Sequence, residues 1–155
     1  MWERLTEIAL FSRSKRHRAP AEILKAFIDP KKENNPPLNQ QEIKQLRRAF
    51  DFLAHAYRRH PSLRESKLAT DQPQFYTLVT SLLNTDILKR FDKNVLADRV
   101  AQLADIVDAD RHVASPPTLR KDIREYRDLA ARQTTHPARR EKREEILTRS
   151  IEALG

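Results

Sequence analysis

The only glycine of this 155-residue chain is its last residue, Gly155. Tight hairpin turns need positive φ angles, which glycine adopts without steric penalty. A sheet-rich chain would need several such positions, so this composition argues against one. The same shortage excludes Gly-rich phosphate-binding loops, whose backbone must approach its ligand closely, and nucleotide chemistry of those classes with them. Punctuation falls instead to nine prolines, at 20, 30, 36, 37, 61, 73, 116, 117 and 137. Proline ends helices, or opens them at the first turn where its missing N–H costs nothing.

The segments between the prolines have helical periodicity. Trp2, Leu5, Ile8 and Ala9 or Phe11 share a face over about residues 2–11. Pro20 opens a second helix with Ile23, Leu24, Phe27 and Ile28 as its apolar face, and 31–37 reads as a polar loop. Asn39 followed by Glu42 has the form of a capping box. Ile43, Leu46, Phe50, Leu53 and Tyr57 then follow at spacings of three and four, an expected buried stripe that ends at His60-Pro61. A fourth helix carries Phe75, Leu78, Val79, Leu82 and Leu83. Asp92 caps a fifth with Leu96, Val100, Leu103, Ile106 and Val107. A sixth carries Leu119, Ile123, Tyr126 and Leu129. The last begins near Thr135 and carries Ile146, Leu147, Ile151 and Leu154. The expected fold is all-α: a compact, proline-punctuated bundle of about six or seven helices, forming one domain over residues 1–155.

No cysteine is present, which removes disulfides, thiol nucleophiles and thiolate metal sites. No apolar run approaches the roughly 20 residues that span a bilayer. The start lacks a secretory pattern. The expected location is the cytoplasm, without membrane contact.

The net charge is +8, from 30 Lys+Arg against 22 Asp+Glu. It is unevenly spread: residues 1–32 carry eight basic and four acidic groups, 39–67 seven and three, 71–110 four and seven, and 120–155 ten and seven. Basic regions flanking an acidic one point to phosphate backbones or to an acidic protein partner; a solvated, solubilising surface gives the same counts. Three basic runs stand out. Arg13, Lys15, Arg16 and Arg18, with His17, have no acid among them. Arg58, Arg59 and His60 lie at a helix end. Arg139, Arg140 and Arg143 interleave with Glu141, Glu144 and Glu145, a pattern that also suits intrahelical pairing. These nine Lys and Arg residues are the expected nucleic-acid contacts, the 13–18 run foremost.

Catalytic constellations are hard to assemble. His17, His55, His60, His112 and His136 form no His-x-x-x-His pair, so no metal or other cofactor is expected. No serine sits in a nucleophile elbow. Arg48 and His55, two turns apart on one helix, have the loose spacing of helical ribonucleases of the HEPN kind, and Arg132 with His136 is a poorer match. His55 is also one position from the apolar stripe, so a partly buried structural histidine is the preferred reading.

Three stretches, WERL…FSRSKRHRAPAEILKAFID from Trp2, QFYTLVTSLL from Gln74 and LAARQTTHPARREKREEIL from Leu129, resemble the helical C-terminal portion of GmrSD-type, ParB-related proteins of bacterial restriction and phage defence. In that family a domain with an Asp-Gly-Gln-Gln-Arg-like motif carries the chemistry, and nothing here corresponds to it. The resemblance therefore implies a helical part whose nuclease residues lie elsewhere. The leading expectation is a non-enzymatic basic module that binds nucleic-acid backbone, DNA or RNA, or docks onto a nucleic-acid-processing defence partner. A small structural subunit of a ribonucleoprotein complex of the CRISPR effector type is the alternative, with the HEPN-like ribonuclease and a protein-only interaction module behind it.

Overall fold

Asn39 and Glu42 close the capping box that their spacing announces. The Asn39 side chain accepts from Glu42 N at 2.9 Å, and Glu42 returns the bond to Asn39 N at 2.8 Å. A cap of this kind is worth about 1 kcal/mol. The computed structural model describes residues 2–28, 38–84, 86–109, 117–132 and 136–154, and of 2–4 and 26–28 the backbone alone. Helix α1 spans Trp2–Ser14, α2 Pro20–Ile28, α3 Gln40–Arg59, α4 Lys67–Thr70, α5 Gln72–Asn84, α6 Ile87–Arg90, α7 Lys93–Asp108, α8 Pro117–Ala131 and α9 Pro137–Ala153; a 3₁₀ turn occupies Pro61–Arg64. Among the described residues there is no strand, and the fold is all-α. Beyond the seven expected helices the described residues add α4 and α6, four-residue turns in the connections on either side of α5. The loop expected at 31–37 lies outside the described residues.

Proline and Asx capping work as expected. Pro20, Pro117 and Pro137 each sit at a helix start, and Asp92 accepts from Asn94 N and Val95 N at the head of α7. At the other end of α7 the Arg127 guanidinium of α8 donates to the carbonyls of Val107 (3.0 Å) and Ile106 (2.6 Å), satisfying acceptors the helix itself leaves open.

α5 is the central element. Every residue from 76 to 83 is buried, and the helix packs against α1, α3, α4 and α9. A helix covered all round must satisfy its own polar groups. Thr77, Thr80 and Ser81 do so by donating to the carbonyls of Pro73, Thr77 and Thr77 at 2.9, 3.1 and 2.9 Å. Around α5 the expected apolar faces of α7 and α9 are buried throughout, including Leu96, Leu103, Val107, Ile146, Leu147 and Ile151. Each such side chain contributes about 1.5–3 kcal/mol relative to exposure.

Three expected faces are corrected. On α3, Ile43 (37%) and Phe50 (36%) are exposed, while Ala49, Phe52, Leu53 and Ala56 form the buried line. Ala49 and Ala56 carry no bulk, so α3 approaches its neighbours along them, and the packed line is rotated away from the larger side chains. On α1, Leu5 is exposed and Leu10 buried instead. On α2, Ile23 is buried and Leu24 exposed; the side chains of Phe27 and Ile28 lie outside the described residues.

Candidate nucleic-acid interface

The nine expected contact residues do not form one surface. Arg140 and Arg143, 1% and 0% exposed, are the largest fully buried side chains in the fold. This corrects their expected role: neither offers its charge to a phosphate in solution. Arg140 pairs with Glu7 of α1, lies 4.9 Å over the Tyr76 ring and donates to the Arg18 carbonyl at 3.4 Å. The first half of α9 is thus buried through polar contacts and the second half through apolar ones, since Arg140, Arg143 and Glu144 precede Ile146, Leu147 and Ile151 on its covered face.

The 13–18 run, which has no acid of its own, is tied down by acids from elsewhere. Arg13 holds Glu42 of α3 through Nε (2.9 Å) and Nη2 (3.2 Å). That contact, with the Asn39 backbone bond behind it, holds the Glu42 carboxyl below the usual carboxylate range. Lys15 donates to the Leu83 carbonyl at 2.7 Å and to Gln45 at 3.2 Å, at the C-terminal end of α5 where the helix dipole favours a cation. Burial lowers the pKa of its ammonium, and the field of Glu144 partly offsets that. His17 is buried between Tyr76 OH (3.0 Å, Nδ1) and Glu144 (3.0 Å, Nε2), with the Phe11 ring tilted against it at 4.8 Å between centroids. Asn84 also donates to Glu144. The run is a strap across α1, α3, α5 and α9. Of its cations Lys15 and Arg16 are exposed and Arg13 and Arg18 half-buried.

Arg59 grips Asp98 of α7 through Nε (2.6 Å) and Nη2 (3.1 Å), and His60 reaches the same carboxylate at 2.7 Å. These contacts, that of Arg59 first, pull the Asp98 pKa down to about 2. Arg58 is exposed and Arg139 half-buried. Lys15, Arg16 and Arg58 are therefore the expected contacts that stay exposed with no ion-pair partner among the described residues, and of these Lys15 is held by the Leu83 carbonyl and Gln45. On α3, Arg48 donates to the Leu88 carbonyl at 3.0 Å and His55 meets Asn94 Oδ1 at 3.0 Å. Both members of the ribonuclease-like pair are tethers between α3 and the α6–α7 segment; Arg132 and His136 are exposed, and the residues between them lie outside the description.

The fold does gather cations in a place the basic runs do not mark. A groove of about 570 Å³ lies between α3 and the α6–α7 turn. Lys44, Arg47, Arg48 and Lys93 line it with a single acid, Asp51, over a floor of Phe52, Leu88, Phe91 and Leu96. Lys44, Arg47 and Lys93 are exposed and have no ion-pair partner among the described residues. Asp86, close enough to feel Arg48, is engaged by Lys89 at 2.6 Å, and that bond is the main cause of its lowered pKa. Helical spacing shows Lys44, Arg47, Arg48 and Asp51 sharing the solvent side of α3. Lys93, Leu88, Phe91 and Leu96 join them only through tertiary packing.

No protein-family model, no curated protein and no solved structure matches the chain. The groove's chemistry rests on its own residues. Among the described residues no group of His, Asp and Glu could hold a metal ion, and no helix is long and apolar enough to cross a membrane.

Proposed function

We propose that this chain is a basic helical module that binds nucleic-acid backbone through the groove between α3 and the α6–α7 turn. The observation that carries the reading is the disposition of charge: four cations and one acid around a single recess, three of the cations unpaired among the described residues. Elsewhere three of the nine expected cations, Arg140, Arg13 and Arg59, are spent on Glu7, Glu42 and Asp98. Cations without internal partners are the ones that can release counterions from a phosphate chain. Arg16 and Arg58 serve as secondary contacts at most.

The resemblance to the helical portion of restriction and phage-defence proteins is compatible with this reading. A module of that kind would hold the nucleic acid while a catalytic part encoded elsewhere does the chemistry.

Filter binding across a salt series tests it. Each phosphate neutralised contributes roughly 0.7 (single strand) to 0.9 (duplex) to the slope of log affinity against log salt. The triple variant Lys44→Ala/Arg47→Ala/Lys93→Ala is therefore expected to flatten that slope by about 2–3. Absence of binding to any DNA or RNA at low salt, or a triple variant that binds like the parent, would overturn the reading.

A further inference from the structure

Phosphate alone does not account for the groove. Its rim is cationic, but its floor is apolar, with Leu88 and Phe91 half-buried over Phe52 and Leu96. A surface that met only phosphates would have no use for such a floor. The volume of about 570 Å³ lies within the roughly 300–1,000 Å³ of sites that enclose a small molecule. The recess can therefore take in a planar group as well as a charge beside it.

Phe91 is held firmly in place. The Arg99 guanidinium lies 4.5 Å from its ring centroid and that of Arg90 5.9 Å. Both cations are anchored at the end of α9: Arg99 donates to the carbonyls of Ile151 (3.3 Å) and Glu152 (3.0 Å), and Arg90 pairs with the Glu152 carboxylate. The Phe91 backbone N–H also closes the last bond of α6, to Ile87 O. On the opposite wall Arg48 is fixed to the Leu88 carbonyl. The ring and one rim cation are thus ordered before any ligand arrives, which limits the entropy lost on binding.

Resting on the backbone-binding reading, we infer that this groove selects single-stranded over double-stranded nucleic acid, seating an unpaired base against Leu88 and Phe91 while Lys44, Arg47 and Lys93 hold the flanking phosphates. A duplex keeps its base faces stacked, so it would satisfy the rim and leave the floor in water. A single strand offers both phosphate and a free π-face, the pairing used by stacking platforms that bind single strands without sequence preference. The charge pattern also attracts an acidic peptide, but a peptide of glutamates has nothing planar to lay on the floor.

Fluorescence anisotropy on the intact chain tests this with three labelled nucleic-acid probes of equal phosphate number, in ribose and deoxyribose series (a single strand, a duplex, and a strand with abasic spacers), and with a polyglutamate of equal charge. The single strand is expected to bind tightest in at least one series. Abasic substitution is expected to weaken it by roughly 5- to 150-fold, the range that loss of one base–aromatic stack produces. Phe91→Leu is expected to weaken the single strand alone and to leave the salt slope unchanged. The abasic comparison needs no variant and stands even if Phe91→Leu fails to fold. Duplex binding equal to or tighter than single-strand binding in both series overturns the inference and leaves the backbone reading intact. So does an abasic strand, or a polyglutamate, that binds as tightly as the normal strand. Binding of none of the nucleic-acid probes at low salt overturns the backbone reading itself.

Discussion

Arg140 lies over the Tyr76 ring at 4.9 Å and pairs with Glu7, both charged partners almost completely shielded from water. The pair joins the first helix of the chain to the last. Its origin is chemical necessity: a guanidinium cannot be deprotonated to escape burial, so it must be matched by a carboxylate and by acceptors such as the Arg18 carbonyl.

Removing one partner of such a pair leaves the other charge buried alone. Arg140→Ala is therefore expected to cost about 3–5 kcal/mol of unfolding free energy. Glu7→Leu/Arg140→Met, which removes both charges, is expected to cost less than the two single substitutions summed. Urea unfolding with unchanged m-values checks both. An Arg140→Ala protein of parental stability that loses nucleic-acid binding would return Arg140 to the surface role expected from the sequence.

The Arg59–Asp98–His60 contact predicts a specific acid dependence. The folded-state pKa of Asp98 is depressed from its ordinary 3.8 to about 2, chiefly by the Arg59 hydrogen bonds. A depressed carboxylate contributes stability that is fully present above its unfolded pKa and is lost as pH falls through the folded one. The stability gap between the parent and Asp98→Asn is thus expected to be constant from pH 7 to about pH 5. It should close as pH falls from about 4 to 2. A gap independent of pH over that window would mean that the contact is not made in solution.

How much of this could be read from the sequence follows the range of the interactions. The capping box at Asn39, the proline starts and the apolar faces of α7 and α9 depend on neighbours within a few residues, and all are where the sequence places them. The buried line of α3 is not, because Ala49 and Ala56 matter for what they lack, which only a packed partner reveals. The cations fail for a related reason. Arg13 finds its acid 29 residues away, Arg59 39 residues away, and Arg140 on the first helix. A count of charges within a run cannot see those partners. Within the final run Lys142 pairs with Glu145 at 2.9 Å, while Arg140 reaches across to Glu7.

Arg48 and His55 separate two roles. As tethers, each contributes one hydrogen bond from α3 to the α6–α7 segment, so Arg48→Ala or His55→Ala is expected to lower stability by about 0.5–1.5 kcal/mol. Arg48→Ala should also flatten the salt dependence of binding, because Arg48 lines the groove, whereas His55→Ala should not. Incubation of the purified chain with labelled RNA is expected to yield no product. A cleavage product that disappears in both variants would favour the HEPN-like ribonuclease over the binding module.

Lys15 offers a test of the strap that does not involve binding. Its φ of 52° puts a non-glycine residue in the left-handed region directly after α1, with its N–H bonded to Phe11 O at 2.7 Å. That conformation costs a residue with a Cβ roughly 1–2 kcal/mol, and glycine nearly nothing. The ammonium offsets the cost through Leu83 O and Gln45. Lys15→Ala removes the anchor and keeps the strain, while Lys15→Gly removes both. At most sites glycine is the less stable choice, because the unfolded chain gains freedom. Here the order is expected to invert, with Lys15→Gly more stable than Lys15→Ala by about 1 kcal/mol in thermal or urea unfolding. Alanine proving the more stable of the two would show that the turn after α1 is not left-handed, and the docking of 15–18 onto α5 and α9 would have to be redrawn.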